Sequence, residues 1–358
     1  KPALANMIGG VSFVGLTACI SIGGYSMFGR VKPLDAILAT AEKKSLHRSL
    51  GPVQLTLLGV GAIIGTGIFV LTAAAAQKAG PGMLLSFVIA GFVCAVAALC
   101  YSELASMVPV SGSAYTYSYA VMGELLAWMV GWALILEYAV AASAVSVGWS
   151  GYFMGLVKSW TGFELPMLLQ AGPTWTMNGF LPHADFSTGI VNLPAIVVAL
   201  SVTWLLMIGT KESANFNAVL VAVKVTALLL FMALALPAMK GEHFAPFSPN
   251  GIGSSGMGII GAASSIFFAY VGFDAVSTAA EETKNPQRNV PIGLIGSLAI
   301  CTVFYLLVAA GAIGAIGAQP TDIGVAPDSN EFKQQCAALL AQGQEPLVCS
   351  KEALAHVL

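Results

Sequence analysis

The sequence predicts an all-α polytopic membrane protein, on three observations. Hydrophobic residues make up 57% of the chain and charged residues only 9%, with a mean hydropathy of +0.83. Seven apolar runs alternate with polar segments that carry Gly and Pro. Glycines interrupt the first and the sixth run. A soluble domain carries about a quarter charged residues, so this chain lacks the charge to cover a water-facing surface. An apolar run of about 20 residues reads instead as a helix crossing lipid.

The expected spans follow in order. Span 1 covers about Val53–Ala76, span 2 about Met83–Val108 and span 3 about Leu125–Leu156, its first turns drawn in part from Tyr115–Tyr119. Span 4 covers about Ile190–Ile208, span 5 Phe216–Pro237, span 6 Met257–Ala280 and span 7 Ile292–Ala315. Ala79-Gly80-Pro81-Gly82, Gly172-Pro173 and Lys284-Asn285-Pro286 supply turn chemistry between them.

Basic residues set the orientation. Arg30, Lys32, Lys43, Lys44 and Arg48 precede span 1, Lys211 separates spans 4 and 5, and Lys284 and Arg288 follow span 6. Alternating spans put all of these on one side, expected to be cytoplasmic, and a bacterial inner (plasma) membrane is the expected location. Glu42–Leu50 reads as a segment along the inner leaflet or as a solvated linker. Four segments result: 1–26, a non-native or extra apolar extension; 27–52, a cytoplasmic segment; 53–317, the transmembrane domain; and 318–358, an extracytoplasmic loop. For the Gly-rich run Asn6–Gly24 an extra span, a signal sequence and an in-frame extension ahead of Met27 compete. The missing A-x-A site weighs against the signal.

Composition and spacing exclude several classes. A net charge of −2 offers no basic field for nucleic acid. His47, His183, His243 and His356 lie outside the spans and form no metal set, and no His-Glu-x-x-His or comparable catalytic spacing is present. No enzyme activity, cofactor or metal is therefore expected. Cys19, Cys94, Cys100 and Cys301 read as small packing residues in apolar segments, while Cys336 and Cys349 share one loop and can pair only in an oxidising compartment.

Span 1 contains Gly59, Gly61, Gly65 and Gly67, four glycines within nine residues. Each costs roughly 1 kcal/mol in a helix interior. Close packing through small residues accounts for Gly61 and Gly65 by spacing. An unwound stretch at mid-membrane is the other reading, and it requires the freed backbone groups to face protein or a polar cavity. Span 6, five spans later, reads Phe267-Phe268-Ala269-Tyr270-Val271-Gly272-Phe273-Asp274 and also carries a mid-span glycine. Gly-interrupted spans at corresponding positions of two halves point to a midplane site in an inverted-repeat protein. The second half of span 1 then begins near Thr66-Gly67 with free N–H groups suited to a carboxylate. The first half of span 6 ends near Phe268 with free carbonyls suited to an ammonium group. One site receives both ends of an α-amino acid, which implies a carrier for it.

Three charges lie deep. Lys224 sits in mid-span 5, at a cost of about 2.5–3.5 kcal/mol on insertion scales, and reads as a proton-coupling group or as half of a fixed ion pair. Glu137 in span 3 polarises the cavity or pairs with a neighbour. Asp274 touches the substrate side chain or caps the second half of span 6. Glu103 and Glu281-Glu282 read as solvated interfacial charges, or as a gate network with Lys211 or Arg288.

These residues resemble the amino acid–polyamine–organocation superfamily, nearest its cationic amino acid transporter branch, over roughly Leu46–Ala315. The resemblance rests on Gly61-Ala62-Ile63-Ile64-Gly65-Thr66-Gly67-Ile68-Phe69, on Tyr101-Ser102-Glu103-Leu104-Ala105 with Gly112-Ser113-Ala114-Tyr115, and on Phe273-Asp274 with Glu281-Glu282-Thr283-Lys284-Asn285-Pro286. It implies a five-plus-five inverted-repeat transporter fold, of which this chain holds the first repeat and the start of the second, with spans 8 to 10 missing. It implies secondary transport of an L-amino acid by alternating access, coupled to protons, with cationic or small neutral substrates. An exchanger or a membrane amino acid sensor is the alternative. By match to the family's motifs, Thr66 and Gly67 hold the carboxylate. The Ile63, Phe268 and Val271 carbonyls hold the amino group, and Gly65 and Ala269 complete the lining. Phe268 is the gate, Asp274 and Glu137 are the cavity acids, and Lys224 touches the broken part of span 1. The implied partners are the amino acid, the proton and the lipid bilayer.

Overall fold

In the computed structural model the described residues are 48–317, less 179, 180, 187, 188, 209 and 254–256, together with positions 334 and 338. The expected segment 1–26, most of 27–52 and nearly all of 318–358, with Cys336 and Cys349, lie outside them.

Helix α1 spans Pro52–Ile63. Pro52 takes the first helical position, where its missing N–H costs nothing. The Gln54 side chain accepts the Gly51 N–H at 2.6 Å. The chain leaves helical geometry at Ile64 and Gly65 and re-enters it as α2, Thr66–Ala79. A 3-10 turn, Gly80–Gly82, leads into α3, Met83–Met107. The Tyr115–Tyr119 stretch does not belong to span 3. It lies in a separate short helix, α4, Ser113–Val121, set off by Gly123 at φ +92°, where a side chain is strained. The long α5 covers Glu124–Thr161. Strands β1, Thr174–Asn178, and β2, Leu181–Asp185, then form an antiparallel hairpin with Thr174 opposite Asp185. This hairpin lies in the loop between spans 3 and 4, and the all-α polytopic class holds. Thr174-Trp175-Thr176, β-branched and aromatic, favours the strand.

Helices α6, Leu193–Ile208, and α7, Thr210–Ala235, match spans 4 and 5. Span 6 is broken: α8, Gly258–Ile266, runs into a 3-10 turn, Phe267–Tyr270, and the chain resumes as the short α9, Ala275–Thr278. Span 7 is α10, Pro286–Ile316. Among the described residues five segments are long and apolar enough to cross a membrane, and Pro52–Ile63 and Leu193–Met207 add shorter apolar helices. The protein is thus a multi-pass integral membrane protein.

Two sets of contacts fit alternating spans. Ser49 and Leu50, before span 1, donate their N–H groups to Glu282 O at 2.9 and 3.0 Å, and Lys284 N–H donates to Leu50 O at 2.9 Å. The segments before span 1 and after span 6 therefore share one end of the bundle. At the other end, Lys240 N–H donates to Gly314 O at 2.9 Å, joining the segment that follows span 5 to the last turn of span 7.

The core lies where spans 1, 2, 6 and 7 meet. Leu55, Ile63, Ile64, Phe87, Ile266, Tyr270, Leu294 and Tyr305 are fully or almost fully buried there. Helix α5, in contrast, exposes Trp128, Trp132, Leu136 and Phe153, a surface that lipid tolerates and water does not. Of the cysteines, Cys94 and Cys301 are buried, but Cys100 is exposed on α3 rather than packed in the core.

Candidate functional site: two broken helices in contact

The four glycines of span 1 divide by what a side chain would meet. At Gly59 a Cβ would fall 2.5 Å from Ser297 Oγ, and at Gly61 it would fall 3.0 Å from Val221. At Gly67 it would fall 2.4 Å from the Ala269 Cα. Close packing therefore accounts for these three. At Gly65 the nearest atom, Ile63 O, lies 4.0 Å away, so packing leaves that glycine unexplained. Gly65 is the residue that precedes α2, and no side chain caps the helix there. The first N–H groups of α2 have no carbonyl of their own helix to meet.

The two breaks touch. Gly67 at the start of α2 packs on Ala269 in the 3-10 turn of span 6, and at Gly272, φ +111°, a Cβ would fall 2.8 Å from Ala62 O. Both approaches need the missing side chain, and Gly272 also needs the backbone freedom of glycine. The sequence predicted the positions of both breaks to within about two residues, since α2 begins at Thr66 and α8 ends at Ile266.

Two side chains from elsewhere meet the open end of α1. Lys224 of α7 donates to Gly61 O and to Ile64 O, the latter at 2.5 Å. Tyr305 of α10 places its hydroxyl 2.9 Å from Ile63 O and 3.0 Å from Ala269 O. A carbonyl has two lone pairs, so these bonds leave Ile63 and Ala269 able to accept a second donor. Phe268 is half-buried, and its carbonyl accepts the Val271 N–H at 3.3 Å. The Thr66 side chain lies outside the described residues.

Asp274 does not cap α9 through its side chain. It is only 5% exposed, and its Oδ2 accepts the Tyr138 hydroxyl at 2.8 Å. Tyr138 follows Glu137 on α5, and Glu137 lies near enough to Asp274 for their charges to interact. The motifs separated in sequence converge here. Tyr101 of α3 packs edge-on against Phe273 at 5.8 Å and Tyr117 of α4 at 6.4 Å, and the Ser277 and Ser113 hydroxyl oxygens lie 3.2 Å apart. One layer further out, Glu281 Oε1 accepts the Ser111 N–H at 2.8 Å and lies 3.0 Å from its hydroxyl. Glu281 thus anchors the chain between spans 2 and 3, a partner that sequence reading did not name. The side chain of Lys211, considered for such a network, lies outside the described residues.

Sequence reading also missed Tyr305 and Tyr138. A hydroxyl-bearing ring within the apolar run Ile300–Leu307 was the available signal for the first, because a buried Tyr needs a partner. An apolar cleft of about 580 Å³ lies between Val70 of α2 and the Ala139–Gly148 face of α5. It includes no residue of either break.

Broken first and sixth spans in contact, inside a bundle of apolar helices, define a polytopic membrane protein with two discontinuous spans. A family model described as amino acid permease matches residues 50–335. The chain belongs to the amino acid permease family, within the amino acid–polyamine–organocation superfamily. The branched-chain amino acid permease BcaP of Bacillus subtilis is 50% identical over 291 residues, covering 81% of this chain and 60% of that protein. The methylthioribose transporter of Bacillus subtilis is 46% identical over 280 residues, 78% of this chain and 58% of that protein. The chloroplastic cationic amino acid transporter 9 of Arabidopsis thaliana is 39% identical over 265 residues, 73% of this chain and 44% of that protein. The chain spans 60% or less of the length of these relatives.

Proposed function

We propose that this chain carries the substrate and coupling sites of a secondary transporter that moves an L-amino acid by alternating access, driven by protons, and that it has no enzyme activity. The single observation behind this reading is the contact of the two breaks, Gly67 on Ala269. It brings the amino end of α2 and the carboxyl end of α8 to one place. The N–H groups at Gly65, Thr66 and Gly67, at the amino end of α2, attract the substrate carboxylate, since a helix amino end is an anion site. The carbonyls of Ile63, Phe268, Ala269 and Val271 attract its ammonium. Phe268 closes the site.

Lys224 is the coupling group in this reading. Charged, it holds the Gly61 and Ile64 carbonyls; on losing its proton it keeps a weaker donor and releases the break to move. Asp274 and Glu137 face the substrate side chain, and cationic or small neutral side chains are the proposed range. A relative named for branched-chain amino acids extends the neutral arm toward aliphatic side chains. The proposed setting is a bacterial inner membrane with the segment before span 1 in the cytoplasm, following the basic residues.

The test is uptake by the full-length protein in proteoliposomes, with Arg, Leu, Ala and Glu compared at two external pH values. The proposal expects accumulation of at least one of the first three against its gradient when the outside is acidic. Equal equilibration with and without a pH gradient would remove the coupling, and no uptake of any amino acid would remove the function.

A further inference from the structure

Tyr305 has no role in the reading above. Its ring is fully buried on α10, 5.3 Å from the Tyr270 ring and 5.8 Å from Phe87 between centroids. The two carbonyls at its hydroxyl belong to different breaks. Ile63 closes α1, and Ala269 lies in the turn that follows α8. A phenol has one hydrogen, so two acceptors from two broken helices share a single donor. The contact of Gly67 with Ala269 is apolar and fixes no carbonyl direction, and Lys224 reaches only the span 1 side.

We propose that Tyr305 is a positioning residue that ties the two breaks together and presents the Ile63 and Ala269 carbonyls as one preorganised receptor for the substrate ammonium. This rests on the transport reading for the identity of the ligand, but the tie itself needs no ligand. Because the ammonium and its α-carbon are common to every amino acid, the tie governs affinity for all substrates alike and leaves side-chain preference untouched. Ser86 supplies the internal control. It too is fully buried, and its hydroxyl donates from α3 to Ile259 O at 2.8 Å, in the first turn of α8 and away from both breaks.

The experiment compares Tyr305→Phe with Ser86→Ala in the full-length protein. Loss of one shared hydrogen bond raises KM for Tyr305→Phe about three- to tenfold, by the same factor for substrates with different side chains. In the substrate-free protein, hydrogen–deuterium exchange rises at Gly65–Gly67 and Val271–Phe273 while α3 stays protected. Ser86→Ala, which also loses one buried hydrogen bond between helices, leaves KM and exchange at the breaks unchanged. Site-specific 3-fluorotyrosine at position 305, a stronger donor of nearly the same size, lowers both, and it decides the matter alone should Tyr305→Phe not fold. Wild-type KM and wild-type exchange in the position-305 variants overturn the proposal. So does an effect that Ser86→Ala reproduces, because the loss of any buried hydrogen bond in the bundle would then suffice. If the wild type takes up no amino acid while Tyr305→Phe still loosens both breaks, the transport reading fails and the tie stands.

Discussion

Gly65→Ala and Gly67→Ala separate a ligand-facing glycine from a packing glycine two residues apart. At Gly67 the added methyl would meet the Ala269 Cα at 2.4 Å and its Cβ at 2.6 Å. Both are backbone or backbone-adjacent atoms, so the breaks must separate to admit it. Overpacking of this kind costs about 1–3 kcal/mol. At Gly65 the methyl would meet nothing closer than Ile63 O at 4.0 Å, and φ is −132°, which any residue adopts. Folding should therefore be unharmed, and the lower chain entropy of Ala in the unfolded state adds about 0.4–1 kcal/mol of stability. The added methyl occupies space that the account reserves for the substrate carboxylate. A steric penalty of about 1–3 kcal/mol there corresponds to roughly a five- to 150-fold rise in KM. The assay is paired: thermal unfolding in detergent for stability and initial uptake rates in proteoliposomes for KM. Gly65→Ala should melt at or above the wild type and bind far more weakly, and Gly67→Ala should melt lower. A Gly65→Ala protein with wild-type stability and wild-type KM refutes the reasoning, because the open space at Gly65 would then serve no ligand.

Lys224→Met removes the donor from Gly61 O and Ile64 O, and the account expects loss of proton-driven accumulation, measured as uptake with and without an imposed pH gradient; unchanged coupling contradicts it. The same change leaves buried carbonyls short of a donor, at about 1–3 kcal/mol, so thermal unfolding should also fall. Asp274→Asn keeps an acceptor for the Tyr138 hydroxyl but removes the charge, so competition by Arg should weaken more than competition by Leu. Equal weakening would take Asp274 away from the side-chain subsite. Gly59→Ala forces a methyl to 2.5 Å from Ser297 Oγ and 2.7 Å from Val276; it should destabilise by about 1–3 kcal/mol and leave KM of the folded protein unchanged.

Span positions and the two breaks were legible because they depend on composition and on glycine, which act locally. An apolar run of spanning length has few alternatives in lipid, and four glycines within nine residues mark backbone that is not held as an ordinary helix. The reason for each glycine was not legible. Gly61 and Gly65 share a small-xxx-small spacing, yet only Gly61 meets a neighbour, Val221 on α7. That distinction depends on partners more than 150 residues away. Asp274 likewise read equally well as a cap or as a contact, and the structure gives its carboxylate to Tyr138 of α5. Tyr305 was invisible because one tyrosine in an apolar span looks like packing until the two carbonyls beside it are known. The hairpin at 174–185 escaped because its strands are five residues each and sit in a loop between two spans.

The most direct measurement is competition for binding by a transported amino acid, its decarboxylated amine and its deaminated acid, on the purified full-length protein. If opposite-signed peptide ends at Gly65–Gly67 and Phe268–Val271 clasp a zwitterion, each truncated analogue loses one whole end. Both should then compete at least about a hundredfold more weakly, the size expected when a charge-assisted set of hydrogen bonds is removed. If either analogue competes as well as the amino acid, no such paired receptor exists.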